Sequence, residues 1–478
     1  MNKEQAKIAI IGAGWVGIGC ARMLLKAGYA IEVFESNSDV GGVWHPQNHY
    51  SGLEIHSYAK NVEFFDFPLP SFINKADRIS AQQVFNYLND YCKFHNLYDY
   101  ISLNTFVELI DYNSNTHEYN IFLRDTSTNE INSKKYTHVI YTHGFCSKSI
   151  PKVKDIEKFR GQAIHSFYAS QTLIQSIVQQ NKKVIIVGGS KTATDLILQF
   201  QKQAYQTSWL YRKNYWFLNR DIMHSLLDQT LQSKIHTFFT RLIYKGSDLA
   251  ASIHAEVAFY YMRVFNLIHT FGKKHGDFKK FHNGALDGNQ IKLLRHYNAK
   301  NYVPGQIESF DQEGVILDNG LKLKADYVIF CTGSGPCQSL IKIDIDGKKF
   351  DIEDVKNVYR SRIIPKLPNL VFTSFSPFAT GVVNGLCYGN WIIQYIESDL
   401  SLDQLEKEST TYAQPFFREH LLFNSSEYII QKGLEMLKPF FESGELSSKE
   451  FEEWHLQNTF STEAAKPLIF KKPKVNII

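Results

Sequence analysis

The stretch Lys7-Ile8-Ala9-Ile10-Ile11-Gly12-Ala13-Gly14-Trp15-Val16-Gly17 decides the fold. A short, β-rich apolar run ends at Gly12, and three glycines follow in the G-x-G-x-x-G frame. A helical pattern then runs to Lys26 and closes at Gly28, and a second strand from Ala30 to Phe34 delivers Glu35. Strand, glycine turn, helix, strand and acid in this order specify a dinucleotide-binding unit. Gly12 permits the tight turn, Gly14 lets backbone approach a pyrophosphate, and Gly17 lets helix and strand pack closely. The helix start, Trp15 and Val16 included, offers free N–H groups and partial positive charge to phosphates. Glu35 lies 23 residues after Gly12, the distance at which an acid meets ribose hydroxyls.

A second unit begins at the run Lys183-Val-Ile-Ile-Val187, followed by Gly188-Gly189-Ser190-Lys191-Thr192-Ala193 and a helical stretch to Lys202. Ser190 stands where the frame has its middle glycine; its small side chain permits close approach and its hydroxyl can bond a phosphate. The next strand, Thr207 to Tyr211, ends at Arg212-Lys213, where an NAD site would carry an acid. Two cations there fit the 2′-phosphate of NADP, and arginine grips it bidentately.

Further motifs narrow the class. Gly41-Gly42-Val43-Trp44 follows Glu35, Phe159-x-Gly161-x-x-x-His165 lies between the units, and Asp66-Phe67-Pro68 follows the polar stretch Glu54-Ile55-His56-Ser57. With both turns these resemble the flavin-containing and Baeyer–Villiger monooxygenases, the class B flavin monooxygenases, over about residues 7–396. The family has Tyr or Trp where this chain has Ala169, with Tyr168 one residue early. Two segments, Tyr136–Gly144 and Ala325–Gly333, resemble the paired strands ending Ala-Thr-Gly where the chain leaves and re-enters the FAD domain; the first has Thr142-His143 where Ala-Thr is usual, and the second has Cys331 for Ala.

The resemblance implies an α/β fold with two Rossmann-like, disulfide-reductase-like dinucleotide domains, the NADPH domain inserted in the FAD domain. The expected boundaries are 1–150 and 331–400 for FAD and 151–330 for NADPH, with a helical insertion at 222–294 and a helical C-terminal region at 401–478. It implies FAD and NADPH as cofactors, and backbone contact of Val107 with adenine. His56, with Ser57, would lie along the flavin, and its imidazole would serve catalysis by donating a hydrogen bond to a C4a-(hydro)peroxyflavin. His165 is read as an interdomain histidine that couples domain position to cofactor binding, not as the base. One oxygen atom of O₂ would pass to a small organic substrate, by N- or S-oxygenation or Baeyer–Villiger insertion. A reductase or oxidase, an amine N-hydroxylase and a non-catalytic flavin-binding protein share the plan.

Composition sets the outer limits. The 478 residues carry 52 Lys plus Arg against 48 Asp plus Glu, which gives no case for nucleic acid as partner. Six scattered cysteines form no C-x-x-C pair, so neither a zinc site nor a redox dithiol is signalled, and a reducing cytoplasm is expected. The uncharged run Asn369–Ile396 is long enough for a bilayer but is broken by Pro377, Gly381, Gly385 and Gly389, and reads as buried strand, loop and helix. The aromatic stripe within 222–294 reads as core, with a cap over substrate or a homodimer face as alternatives.

Overall fold

The computed structural model describes residues 5–55, 59–64, 66–74, 77–142, 144, 148–212, 217–219, 268–269, 285–333, 342–352, 355, 357–359, 362–373, 381–398 and 400–411. The first stretch contains β1 (Lys7–Ile11), α1 (Trp15–Lys26), β2 (Ala30–Phe34), α2 (Ala81–Phe94), β3 (Ile101–Ser102), the meander β4 (Thr105–Asn113), β5 (Glu118–Asp125), β6 (Ile131–Tyr136), and β7 (His138–Tyr141). Ile8, Ala9 and Ile10 are all fully buried, which is what a parallel strand covered on both faces requires. Helix α1 ends where Gly28 takes φ +84°, and the N–H groups of Gly28 and Tyr29 bond back to Leu25 and Leu24.

The second stretch contains β8 (Gln162–His165), α3 (Gln171–Gln179), β9 (Val184–Val187), α4 (Lys191–Lys202) and β10 (Ser208–Tyr211). There follow β11 (Phe217–Asn219), β12 (Ile268–His269), β13 (Ala285–Leu286), α5 (Gly288–Asn301), β14 (Tyr302–Pro304), β15 (Ile307–Phe310), β16 (Gly314–Leu317), β17 (Lys322–Lys324) and β18 (Tyr327–Phe330). The third contains β19 (Lys342–Ile345), β20 (Lys348–Lys349), β21 (Asn357–Val358), β22 (Leu370–Phe372), α6 (Gly381–Ser398), α7 (Leu402–Glu408) and β23 (Thr410–Thr411).

Two parallel sheets organise these elements. One has the order β22-β7-β1-β2-β3, the other β14-β10-β9-β18-β8, and each places its glycine-turn strand in the middle. Both are doubly wound sheets in which the strand after the first helix lies on one side and the returning strand on the other. A mixed sheet, β20-β19-β4-β5-β6, joins the meander to the third stretch through the parallel pair β19–β4. The first sheet therefore takes β22 from beyond the second sheet. Helix α6 packs on α1 so closely that a Cβ on Gly389 would stand 2.5 Å from Met23 Cβ and 3.1 Å from Cys20 Cα.

Most of the expected helical insertion at 222–294 lies outside the described residues. Residues 268–269 and 285–286 are strands flanking β11, and α5 begins at Gly288 and continues to Asn301. Its start is set by a capping box, with Asp287 accepting from Gln290 N and the Gln290 side chain accepting from Asp287 N. Beyond residue 400, Ser401 caps α7 in the same way. The uncharged run forms β22 and α6, and among the described residues no helix is long and apolar enough to cross a membrane.

Candidate active site

The first glycine turn is closed by its neighbours. Gly12 takes φ +99° and its N–H donates to Phe34 O at 2.8 Å, tying the turn to β2. A Cβ on Gly17 would fall 1.9 Å from Gly12 O, so no other residue fits. Gly42, at φ +57°, lies against Gly14; a Cβ there would meet Gly14 Cα at 3.0 Å. The Gly41 N–H donates to Ala13 O at 2.9 Å, and Trp44 meets Trp15 edge-to-face at 5.8 Å. Val43 is exposed beside them, and the Trp15 indole N–H is buried with no partner.

Glu35 is 4% exposed. One carboxylate oxygen accepts from Ala13 N at 2.8 Å, and the other accepts from Asn37 N at 2.9 Å and Asn37 Nδ2 at 2.6 Å. The acid thus fastens the glycine turn to the loop after β2 while retaining acceptor capacity. Strand β4 starts alongside it, with Thr105 N donating to Glu35 O, and buried Val107 follows at an irregularity in the β4–β5 register.

The second turn repeats this plan. Gly188 takes φ +130°, its N–H donates to Leu210 O at 2.9 Å, and a Cβ would stand 2.3 Å from Cys331 O. Gly189 is buried and Ser190 is the helix N-cap residue. Arg212 is exposed at the end of β10, with one guanidinium nitrogen 3.3 Å from Gln306 Oε1. Lys191, read as cofactor-binding, turns inward at the start of α4. It is 5% exposed and its ammonium is paired with Asp195, itself 4% exposed, one helical turn on. Thr192 lies beside Tyr50.

The two returning strands are in equal register. Tyr141 pairs with Ile11 as Phe330 pairs with Val187, and Thr142 N and Cys331 N then donate to Ile11 O and Val187 O. Thr142 also donates its hydroxyl to Ile11 O at 2.7 Å and Gly12 O at 2.9 Å, clamping the first glycine turn. Sequence reasoning missed that clamp; its signal was a hydroxyl residue one position past a buried strand.

His165 ends β8. Its Nδ1 accepts from Phe167 N at 3.3 Å, which leaves Nε2–H to donate to Gly333 O at 3.3 Å. Burial lowers its pKa, in keeping with a neutral ring that ties the linker to the end of β18. Ala169 is fully buried and its carbonyl accepts from Ser51 N, whereas Tyr168 is exposed under Lys148. The Asp66 turn is anchored by Arg22 Nε and His95 Nε2, each 3.2 Å from Oδ2, and by Tyr91, whose hydroxyl donates to Oδ1. His56, Ser57, Lys213 and His143 lie outside the described residues.

One contrast separates the two turn helices from the rest. Helices α2, α3, α5 and α7 start with side-chain caps at Ser80, Ser170, Asp287 and Ser401. Helices α1 and α4 start at Gly14 and Ser190 with no side-chain cap hydrogen bond. A helix start without a side-chain cap suits an anionic ligand, which the dipole favours.

Two doubly wound sheets with such turns define a two-nucleotide oxidoreductase fold. The flavin-binding monooxygenase-like family matches residues 5–341, and the chain belongs to that family. It is 22% identical to a probable flavin-containing monooxygenase 1 of Arabidopsis thaliana, over 87% of this chain and 89% of that protein. It is 23% identical to the monooxygenase aurF of Gibberella zeae, over 80% of this chain and 73% of that protein. The fold is similar to that of OTEMO in complex with FAD and NADP, with a TM-score of 0.62, 18% identity, and coverage of 82% of this chain and 85% of that one. It is also similar to Tmm from Pelagibacter sp., with a TM-score of 0.56, 16% identity, and coverage of 94% and 89%.

Proposed function

We propose that the first glycine turn holds FAD, the second holds NADPH, and the enzyme passes one oxygen atom of O₂ to a small organic substrate. The observation that carries the assignment is the pair of helix starts without a side-chain cap, each at a turn where one glycine, Gly17 or Gly188, leaves no room for a Cβ. Gly12, Gly14, Trp15, Val16 and Gly17 present backbone to the FAD pyrophosphate. Glu35 accepts from the ribose hydroxyls, Val107 meets adenine, and Gly42, Val43 and Trp44 close over the turn. Gly188, Gly189, Ser190 and Thr192 do the same for NADPH, and Arg212, with Lys213, takes the 2′-phosphate. Bound flavin supplies the redox centre at which O₂ is activated. His56, with Ser57 beside it, holds a proton close to that centre, and His165 keeps the linker in place. The FAD unit comprises 1–150 and 331–400, the NADPH unit 151–330. The buried, unbridged thiols of Cys20, Cys92 and Cys331 suit a reducing cytoplasm.

Stopped-flow spectroscopy tests the reading. NADPH is expected to reduce the flavin faster than NADH. Mixing with O₂ is then expected to give a transient absorbance unlike either oxidised or reduced flavin; direct return to oxidised flavin would point to a reductase or oxidase. Arg212→Ala is expected to raise the KM for NADPH by about tenfold or more, as loss of a charge-assisted contact does, with NADH unaffected. An equal effect on both nucleotides would remove Arg212 from the 2′-phosphate.

A further inference from the structure

The segment after Trp44 crosses from the first sheet's side to the second. Tyr50 belongs to the apolar cluster around α4, with Trp209, Leu196 and Phe200. Its hydroxyl donates to Asp195 Oδ2 at 2.9 Å, while Asp195 Oδ1 holds Lys191. Ser51 adds two bonds across the same junction, from its N–H to Ala169 O and from its hydroxyl to Gln171 Oε1. Beside this strip the two sides stand apart around a cleft of about 730 Å³ bordered by Gly52, Asp195, Gln199 and Tyr297.

The chemistry of this cluster is unusual for a helix start. A lysine in the first turn opposes the helix dipole, and a buried ion pair is costly unless its remaining lone pairs are filled. Tyr50, 145 residues earlier in the chain, fills the second oxygen of Asp195. Burial raises Asp195 above the usual carboxylate range, and Lys191 and Tyr50 act against that. The first turn of α4 and the chain at Tyr50 are therefore parts of one hydrogen-bonded unit. Six residues beyond Tyr50 stands His56.

We propose that Lys191, Asp195 and Tyr50 form a latch through which a nicotinamide nucleotide at the Gly188–Thr192 turn sets the position of the segment Tyr50–Ile55, making Tyr50 a positioning residue for hydride delivery to the flavin. The inference rests on the cofactor assignment above. An arriving phosphate competes with Asp195 for the Lys191 ammonium, and any change in that pair reaches Tyr50 directly.

The test uses the FAD-loaded enzyme. NADP⁺ binding is measured by calorimetry, the flavin difference spectrum is recorded on NADP⁺ addition, and the limiting rate of reduction is measured with saturating NADPH. Tyr50→Phe is expected to keep FAD and bind NADP⁺ with little change, yet lose the difference spectrum and slow reduction about tenfold, the effect of one buried acceptor left unpaired. Asp195→Asn carries the same readouts if Tyr50→Phe fails to fold, and the double variant is expected to be no slower than the slower single. A Tyr50→Phe enzyme with wild-type spectrum and rate, or losses that multiply in the double variant, overturns the latch. A wild-type enzyme with no NADP⁺ response overturns the cofactor assignment, and the latch with it.

Discussion

At the scale of single residues, both glycine turns depend on atoms that cannot be added. Gly188 combines φ +130° with a Cβ position 2.3 Å from the Cys331 carbonyl, so alanine there must move backbone. Gly188→Ala is expected to abolish NADP⁺ binding by calorimetry while the protein retains FAD; wild-type affinity would show that the turn is not the site. The spacing of Gly12, Gly14, Gly17 and Glu35 was legible because each glycine answers a local backbone demand that sequence records directly. Thr142 and Lys191 were not. The Thr142 hydroxyl serves a carbonyl 130 residues away, and the Lys191 ammonium turns inward because Asp195 and Tyr50 are there to receive it. Those partners are set by topology, which local spacing does not encode.

At the scale of elements, the alternation of apolar runs and amphipathic helices gave β1-α1-β2 and β9-α4-β10 with their boundaries nearly intact. Strands β12 and β13 escaped notice because two residues carry no periodicity; their partner, β11, confers the conformation. Helix α6 shows how tightly one element fixes another. Gly389→Ala is expected to lower the melting temperature by a few degrees through overpacking against α1, costing about 1–3 kcal/mol. An unchanged melting temperature would mean that α1 and α6 yield easily at Met23.

At the scale of the whole molecule, buried histidines set the response to acid. Burial lowers the pKa of His138 to about 4, and burial is also the chief cause of lowered values at His45, His49 and His165. In the unfolded chain these rings take up protons near pH 6.5, so that state binds more protons as pH falls. Their contribution is full above pH 6.5 and is lost downward from there, for His138 at about 1.4 kcal/mol per pH unit until about pH 4. Asp66, held low by His95 and Arg22 despite its burial, adds a loss at still lower pH. The melting temperature is expected to fall between pH 7 and pH 5 in differential scanning fluorimetry; a flat or rising profile would contradict these assignments.

The interleaved sheets also dictate an order of events on the ribosome. Strand β22 begins 229 residues after β7 ends, with the whole second sheet emerging in between. At about 5–20 residues per second, β7 and the apolar face of α1 wait roughly 10–50 s for β22 and α6 to be synthesised. The second sheet comes from one continuous stretch and has every strand at hand by Phe330. The half built on the second sheet can therefore assemble on the nascent chain first, and the half built on the first sheet is completed around it, with chaperones needed most in the interval when α1 is uncovered.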